Sequence, residues 1–157
     1  MPENNKFMNI AFEEAFKAMR ENLGGPFGAI VVKNGDIIAK GSNRVYSDND
    51  PTAHAEITAI RSACKALESF DLSGAVIYST SEPCPMCLSA IYWANIEHVY
   101  YVLNRRDTED MGFKDDHIYH QLSLDPAMRE TRLIRLDHNR SYDLSEEWKK
   151  KQNRIIY

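Results

Sequence analysis

Two short runs dictate most of what this chain can fold into: Asp50-Pro51-Thr52-Ala53-His54-Ala55-Glu56 and Glu82-Pro83-Cys84-Pro85-Met86-Cys87. One imidazole and two thiols form a zinc ligand set. Three protein ligands leave a fourth position open for water, which is how catalytic rather than structural zinc is held. His54, Cys84 and Cys87 must therefore meet at one point, although they come from distant stretches of the chain. Two thiolates cancel the formal charge of Zn²⁺ and a neutral imidazole adds none, yet such a metal can still acidify water to a pKa of about 7. Glu56 lies outside the ligand set. A carboxylate beside the metal can take a proton from a nucleophile and hand it to a leaving group, which a ligating carboxylate does less freely.

Local sequence explains how these groups are presented. Thr52 is expected as a helix N-cap, with His54 and Glu56 in the first turn of a helix running to about Leu67. Ile57, Ile60, Cys64 and Leu67 form its apolar stripe. Pro85 suits a first helical position, and Cys84 and Cys87, three apart, can face one point. Helix N-termini favour negative charge and so stabilise thiolates. A C-x-x-C alone could be a redox pair or half of a structural zinc site, and an H-x-E alone is common by chance. A structural site would need a fourth protein ligand. Cys64, the remaining cysteine, lies roughly 15 Å further along the helix and reads as a small core residue. His98, His117, His120 and His138 read as surface or loop residues.

The 157 residues suit one domain, 1–157, with 43% hydrophobic and 27% charged residues, ordinary for a globular protein. No apolar run reaches membrane-span length, and the first residues lack a secretory-signal core. Three cysteines, two of them expected on a metal, point to a reducing, cytoplasmic setting. A net charge of -4 argues against nucleic acid as the main partner.

Strands are expected at 29–32, 37–39, 75–78, 99–102 and 133–136, with Asn34-Gly35 as a hairpin turn. An N-terminal helix would bury Phe12, Phe16 and Met19; residues 104–129 would be loop and short helix; 141–157 would be mostly helical. The alternation implies an α/β fold: a three-layer α/β/α sandwich around a mixed five-stranded sheet.

With these residues in place, the chain resembles the cytidine-deaminase-like zinc deaminases, and within them the small bacterial guanine deaminases. The similarity extends over nearly the whole chain. It is most specific at Gly24-Gly25-Pro26-Phe27-Gly28-Ala29, in the two metal runs, through Ala90-Ile91-Tyr92-Trp93-Ala94, at Gly112-Phe113-Lys114-Asp115-Asp116 and at Tyr157. The resemblance implies Zn²⁺ as cofactor, hydrolysis of guanine to xanthine and ammonia, and a homodimer that exchanges its C-terminal segment, 138–157. It implies substrate contacts at Phe27, Asn43, Ala55, Trp93, Asp115 and Tyr157. Phe27 and Trp93 would wall a flat purine, Asp115, with Asp116 in reserve, would accept its N–H donors, and Asn43 offers both a donor and an acceptor. A tRNA adenosine deaminase shares the 50–56 run, but the acidic residues Asp107, Glu109, Asp110, Asp115 and Asp116 would repel phosphates. Guanosine, cytosine and related aminated heterocycles are further substrates to weigh. A zinc-binding interaction domain is the non-enzymatic alternative, and it would have no need of Glu56.

Overall fold

The computed structural model describes residues 2–157. They form two compact units, 2–119 and 120–157. The first unit is built from helix α1 (Pro2–Arg20), strands β1 (Gly28–Lys33) and β2 (Asp36–Ser42), the single turn α2 (Val45–Asp48), α3 (Ala55–Ala66), β3 (Ala75–Ser81), α4 (Pro85–Trp93), β4 (His98–Leu103) and α5 (Arg105–Asp110). Helix α6 (Asp115–Ser123) runs from the first unit into the second, which also holds a 3-10 turn (Pro126–Met128) and α7 (Arg140–Lys150).

The sheet runs β2-β1-β3-β4. β1 is antiparallel to both β2 and β3, while β3 and β4 are parallel. The sheet is mixed, as expected, but has four strands. Residues 133–136 are not a strand. They alternate suitably, but a strand needs a neighbour to pair with, and the second unit contains no other strand among its described residues. The β1–β2 turn does fall on Asn34-Gly35, both with positive φ (55° and 84°), as a two-residue hairpin turn requires.

Strand pleating divides the core in two. Ile30, Val32 and Tyr78 point to one face with Phe7 and Ala11 of α1. Ala29, Val31 and Ile77 point to the other, with Ala55, Ala59, Ile60 and Ala63 of α3 and Ile91 of α4. The α1 stripe differs from the expected one. Phe7, Ala11, Ala15 and Ala18 are buried, whereas Phe16 and Met19 are largely exposed. The reason is distance: a Cβ on Gly28 would strike the α1 backbone at Ala11 and Ala15, so the helix lies too close to β1 for large side chains. The stripe is written in alanines rather than aromatics.

The same device positions α3. A Cβ on Gly41 would collide with the backbone of Ala55 and Ala59, so the first turn of α3 rests directly on β2. No helix among the described residues is long and apolar enough to cross a membrane.

The second unit is held by its own polar contacts. Gln121 exchanges hydrogen bonds with Glu130, accepting from its backbone N–H at 2.9 Å, and Arg129 donates to the carbonyls of Leu122 and Leu124. Helix α7 spans Arg140–Lys150, so the expected helix stops short of the end of the chain, and residues 155–157 are non-helical.

Gly41→Ala should lower stability by about 1–3 kcal/mol, the usual cost of overpacking, and also lower zinc retention, because the clash falls on the turn after His54. Gly35→Ala meets no atom within 4 Å. It should cost only the left-handed backbone penalty of about 1–2 kcal/mol and leave metal binding intact. Urea melts and metal analysis of both variants check this.

Candidate active site

His54 and Cys84 occupy equivalent positions in the fold: each is the N-cap of a helix. His54 precedes α3 with φ -66° and ψ 158°, and Cys84 precedes α4 with φ -64° and ψ 168°. Their carbonyls accept the first helical bonds, from Thr58 N at 2.9 Å and Leu88 N at 2.8 Å. The expected cap, Thr52, lies two residues too early. Its N–H and hydroxyl instead bond the Asp50 carboxylate at 2.8 and 2.7 Å, closing the turn that delivers His54. Pro85 takes the first position of α4, as its fixed φ favours.

The two caps converge. His54 Nδ1 lies 3.6 Å from Cys84 Sγ and 3.5 Å from Cys87 Sγ, and the three ligand atoms all fall within 4.8 Å of one another. Zinc bonds of about 2.3 Å to sulfur and 2.0–2.1 Å to nitrogen, at a tetrahedral angle, put the nitrogen and sulfur about 3.5 Å apart. The triad therefore fits zinc without rearrangement. Among the described residues no other cluster of this kind occurs.

Proton affinities in the cluster point the same way. The Cys84 thiol is lowered to about 4, chiefly by the hydrogen bond it shares with Cys87 and then by His54. Cys87 is pushed upward by the same contact with Cys84 and by burial. His54 is raised, mainly by its bond to Cys84. Without a cation, two thiols this close do not both ionise: one becomes thiolate and the other keeps its proton. A bound divalent cation removes that conflict.

Glu56 is buried, 4% exposed. Ser79 Oγ donates to its Oε1 at 3.1 Å and Cys87 Sγ to its Oε2 at 3.5 Å. Burial is the main cause that raises its pKa, outweighing the hydrogen bond from its own backbone N–H. A carboxyl held in that state can both give and take a proton. Ser79 was legible only indirectly: Ser79, Thr80 and Ser81 are hydroxyls closing an otherwise apolar strand that leads into the cysteine motif.

Beside the triad lies a cavity of about 180 Å³, bordered by His54, Glu56 and Cys84. Of the residues expected at the substrate, Phe27, Asn43 and Asp115 line it. Ala55 is fully buried as the first residue of α3, where a backbone N–H has no acceptor within the helix. Trp93 closes α4 with 64% of its surface exposed and is not among the lining residues. Asp116 does not line the cavity either, and Tyr157 belongs to the second unit. Phe113, which no residue-level argument singled out as a wall, packs edge-on against Phe27 with centroids 4.7 Å apart. Glu82 also lines the cavity.

Asn43 is more specific than its type suggests. Its Oδ1 accepts from the backbone N–H groups of Gly25 and Val45, both at 3.2 Å, and both acceptor positions are used. A Cβ on Gly24 would overlap that amide. Only the donor end of Asn43 is left for the cavity. Asp115 supplies the complementary acceptor, and its pKa is raised chiefly by desolvation.

Fold and site together define a zinc-dependent hydrolytic deaminase. Residues 1–103 match the cytidine and deoxycytidylate deaminase zinc-binding region, and the chain belongs to that family. It is 48% identical to the guanine deaminase of Bacillus subtilis over 116 residues, 74% of each sequence. A crystal structure of that enzyme superposes with a TM-score of 0.93 over 98% of both chains, at 39% identity. A guanine deaminase from Nitrosomonas europaea gives 0.68 at 31% identity, over 73% of this chain and 65% of that one. The tRNA-specific adenosine deaminase of Agrobacterium fabrum is 46% identical over 101 residues, 64% of this chain and 66% of that protein.

The purified chain should carry close to one zinc. Cys84→Ala should lose it and melt at a lower temperature, because metal binding is coupled to folding. Cys64→Ala should keep it. Metal analysis and thermal melts of the two variants separate a metal ligand from a core thiol.

Proposed function

We propose that this protein hydrolyses guanine to xanthine and ammonia. The observation that carries the reading is the pairing, in one cavity, of residues of the His54/Cys84/Cys87 cluster with an acceptor and a donor, Asp115 and Asn43. Guanine presents ring and amino N–H groups on one edge and acceptor atoms on the other. Support also comes from structural similarity to a guanine deaminase across 98% of the chain, which takes in the Phe113–Asp115 segment, against 65% for a structure of a tRNA:A34 deaminase.

Each residue then has a task. Zinc, held by His54, Cys84 and Cys87, supplies Lewis acidity that makes water a competent nucleophile near neutral pH. Glu56, aimed by Ser79, takes the proton that the water loses as its oxygen bonds to the carbon carrying the amine. Glu56 returns a proton to that nitrogen as the carbon–nitrogen bond breaks and ammonia leaves. Asp115 accepts hydrogen bonds from the purine N–H groups, and the amide of Asn43 donates to the opposite edge. The backbone N–H of Ala55, unpaired at the helix start, donates to a ring acceptor. Phe27, supported by Phe113, covers one face of the base.

Completion of the site would come from a second chain. Ile155, Ile156 and Tyr157 are mostly exposed, and an apolar tail left in water is costly. In a homodimer that exchanges residues 138–157, Tyr157 would close over the partner's cavity and Trp93 would lie near the join. The reduced thiols suit a cytoplasmic enzyme.

Ammonia release should be fastest with guanine in a panel that adds guanosine, adenine, cytosine and a tRNA anticodon stem-loop. Activity on the stem-loop with none on guanine would transfer the assignment to adenosine editing in tRNA. Glu56→Gln should keep its zinc and lose turnover by about 10²–10⁴-fold or more. Turnover near wild type would eliminate Glu56 as the proton carrier.

Exchange of the tail has its own test. Glu56→Gln chains unfolded and refolded together with chains truncated after Asn153 should recover activity, one chain giving the zinc site and the other the lid. Heterodimers seen by mass but without activity would mean that each tail serves its own chain.

A further inference from the structure

We propose that Arg105, which does not border the cavity, is a positioning residue that fixes Asp115 against the zinc-bearing loop and so sets selectivity for guanine. Four contacts join its region. The Arg105 Nε lies 3.3 Å from Glu82 Oε1, and the Arg105 backbone N–H donates to Glu82 Oε2 at 3.3 Å. Its guanidinium stacks over the Tyr119 ring, 4.0 Å from the centroid. The Tyr119 hydroxyl donates to the carbonyl of Pro83 at 3.2 Å.

The chain positions of the partners give these contacts their meaning. Glu82 and Pro83 immediately precede the ligand Cys84. Tyr119 is four residues after Asp115 on α6, one turn along the same helical face. Arg105 therefore bolts the face that carries Asp115 to the backbone that carries Cys84. As an ion pair the contact contributes little, because the Arg105 side chain is 43% exposed. Its value is geometric. A planar guanidinium can stack on a ring and meet a carboxylate at once, which an ammonium cannot reproduce. The segment needs such a fastening. No residue of α6 is buried, so packing alone does not hold the helix that begins at Asp115. Phe113 reaches the rest of the cavity wall through its edge contact with Phe27. Arg105 is also the cation facing the Glu82 carboxylate, so it keeps that acid from competing with Asp115 as an acceptor inside the cavity.

This assignment rests on guanine as the substrate, and two measurements separate its failure from failure of that reading. The first is a double-mutant cycle on the zinc enzyme. Arg105→Ala should keep one zinc per chain and lower kcat/KM for guanine by about tenfold or more, mostly through KM, since misplacing a binding group is that costly. In an Asp115→Asn background the same change should cost less than about twofold, because nothing is left to position. Equal losses in both backgrounds, or none in either, would overturn the assignment. Arg105→Lys should behave like Arg105→Ala, and full rescue by lysine would show that charge alone matters and also overturn it.

The second measurement needs no substrate. In the zinc-loaded protein, amide hydrogen exchange across residues 113–119 should accelerate at least about threefold in Arg105→Ala, while α3 and α4 stay protected. Unchanged exchange would refute the clamp whatever the enzyme deaminates. This reading also decides the matter where Asp115→Asn leaves too little turnover to compare.

Discussion

The convergence of two helix N-termini on one point is the constraint from which the rest follows. His54 caps α3 and Cys84 caps α4, so each ligand sits where a helix presents its positive end. Thiolates are at home there, and the Cys84 thiol is lowered to about 4, chiefly by its contact with Cys87. The convergence depends in turn on how closely α3 can approach the sheet. Gly41 allows backbone to meet backbone, and the position of the imidazole is thereby referred to the rigid ladder of β1 and β2 rather than to a loop. β3 delivers the cysteine segment from the same sheet and supplies Ser79 to hold Glu56. The His54, Cys84 and Cys87 cluster and the buried Glu56 thus share one frame.

Much of this was legible in sequence because the chemistry allows few alternatives. A histidine, a C-x-x-C and a nearby non-ligating glutamate have few joint explanations, and proline at a first helical position and Asn-Gly between apolar runs act through purely local sterics. The failures lie where tertiary context decides. Thr52 has the intrinsic preference of an N-cap, but Asp50 captured its hydroxyl and the helix began two residues later. Residues 133–136 carry a strand pattern, but a strand is a relation between two segments, and composition cannot supply the second. The face of α1 was misread because large apolar residues attract attention, while the buried stripe is small by necessity.

The substrate cavity was legible in part. Phe27, Asn43 and Asp115 all border it, yet nothing in their own stretches of sequence distinguishes a wall from a core residue or a solvated acid. Phe113 and Ser79 were missed for the same reason: their contacts with Phe27 and Glu56 arise from segments brought together by the fold. Trp93, by contrast, is exposed at the end of α4 and does not line the cavity.

Asn43 shows what a fold can do to an ambivalent side chain. A free amide is chemically two-faced and can rotate to suit whatever approaches. Here the loop spends the oxygen on Gly25 and Val45, and rotation would strand two backbone donors. The amide is thereby locked into one polarity. Under the proposed function, the loop's own backbone bonds would act as a chemical diode: a heterocycle would have to enter with a lone pair toward Asn43, and one that offered hydrogen there would meet hydrogen. Discrimination of this kind adds no side chain to the cavity and leaves no trace in a list of its lining residues. It would be lost through a change at Gly24, a residue that would never touch the ligand.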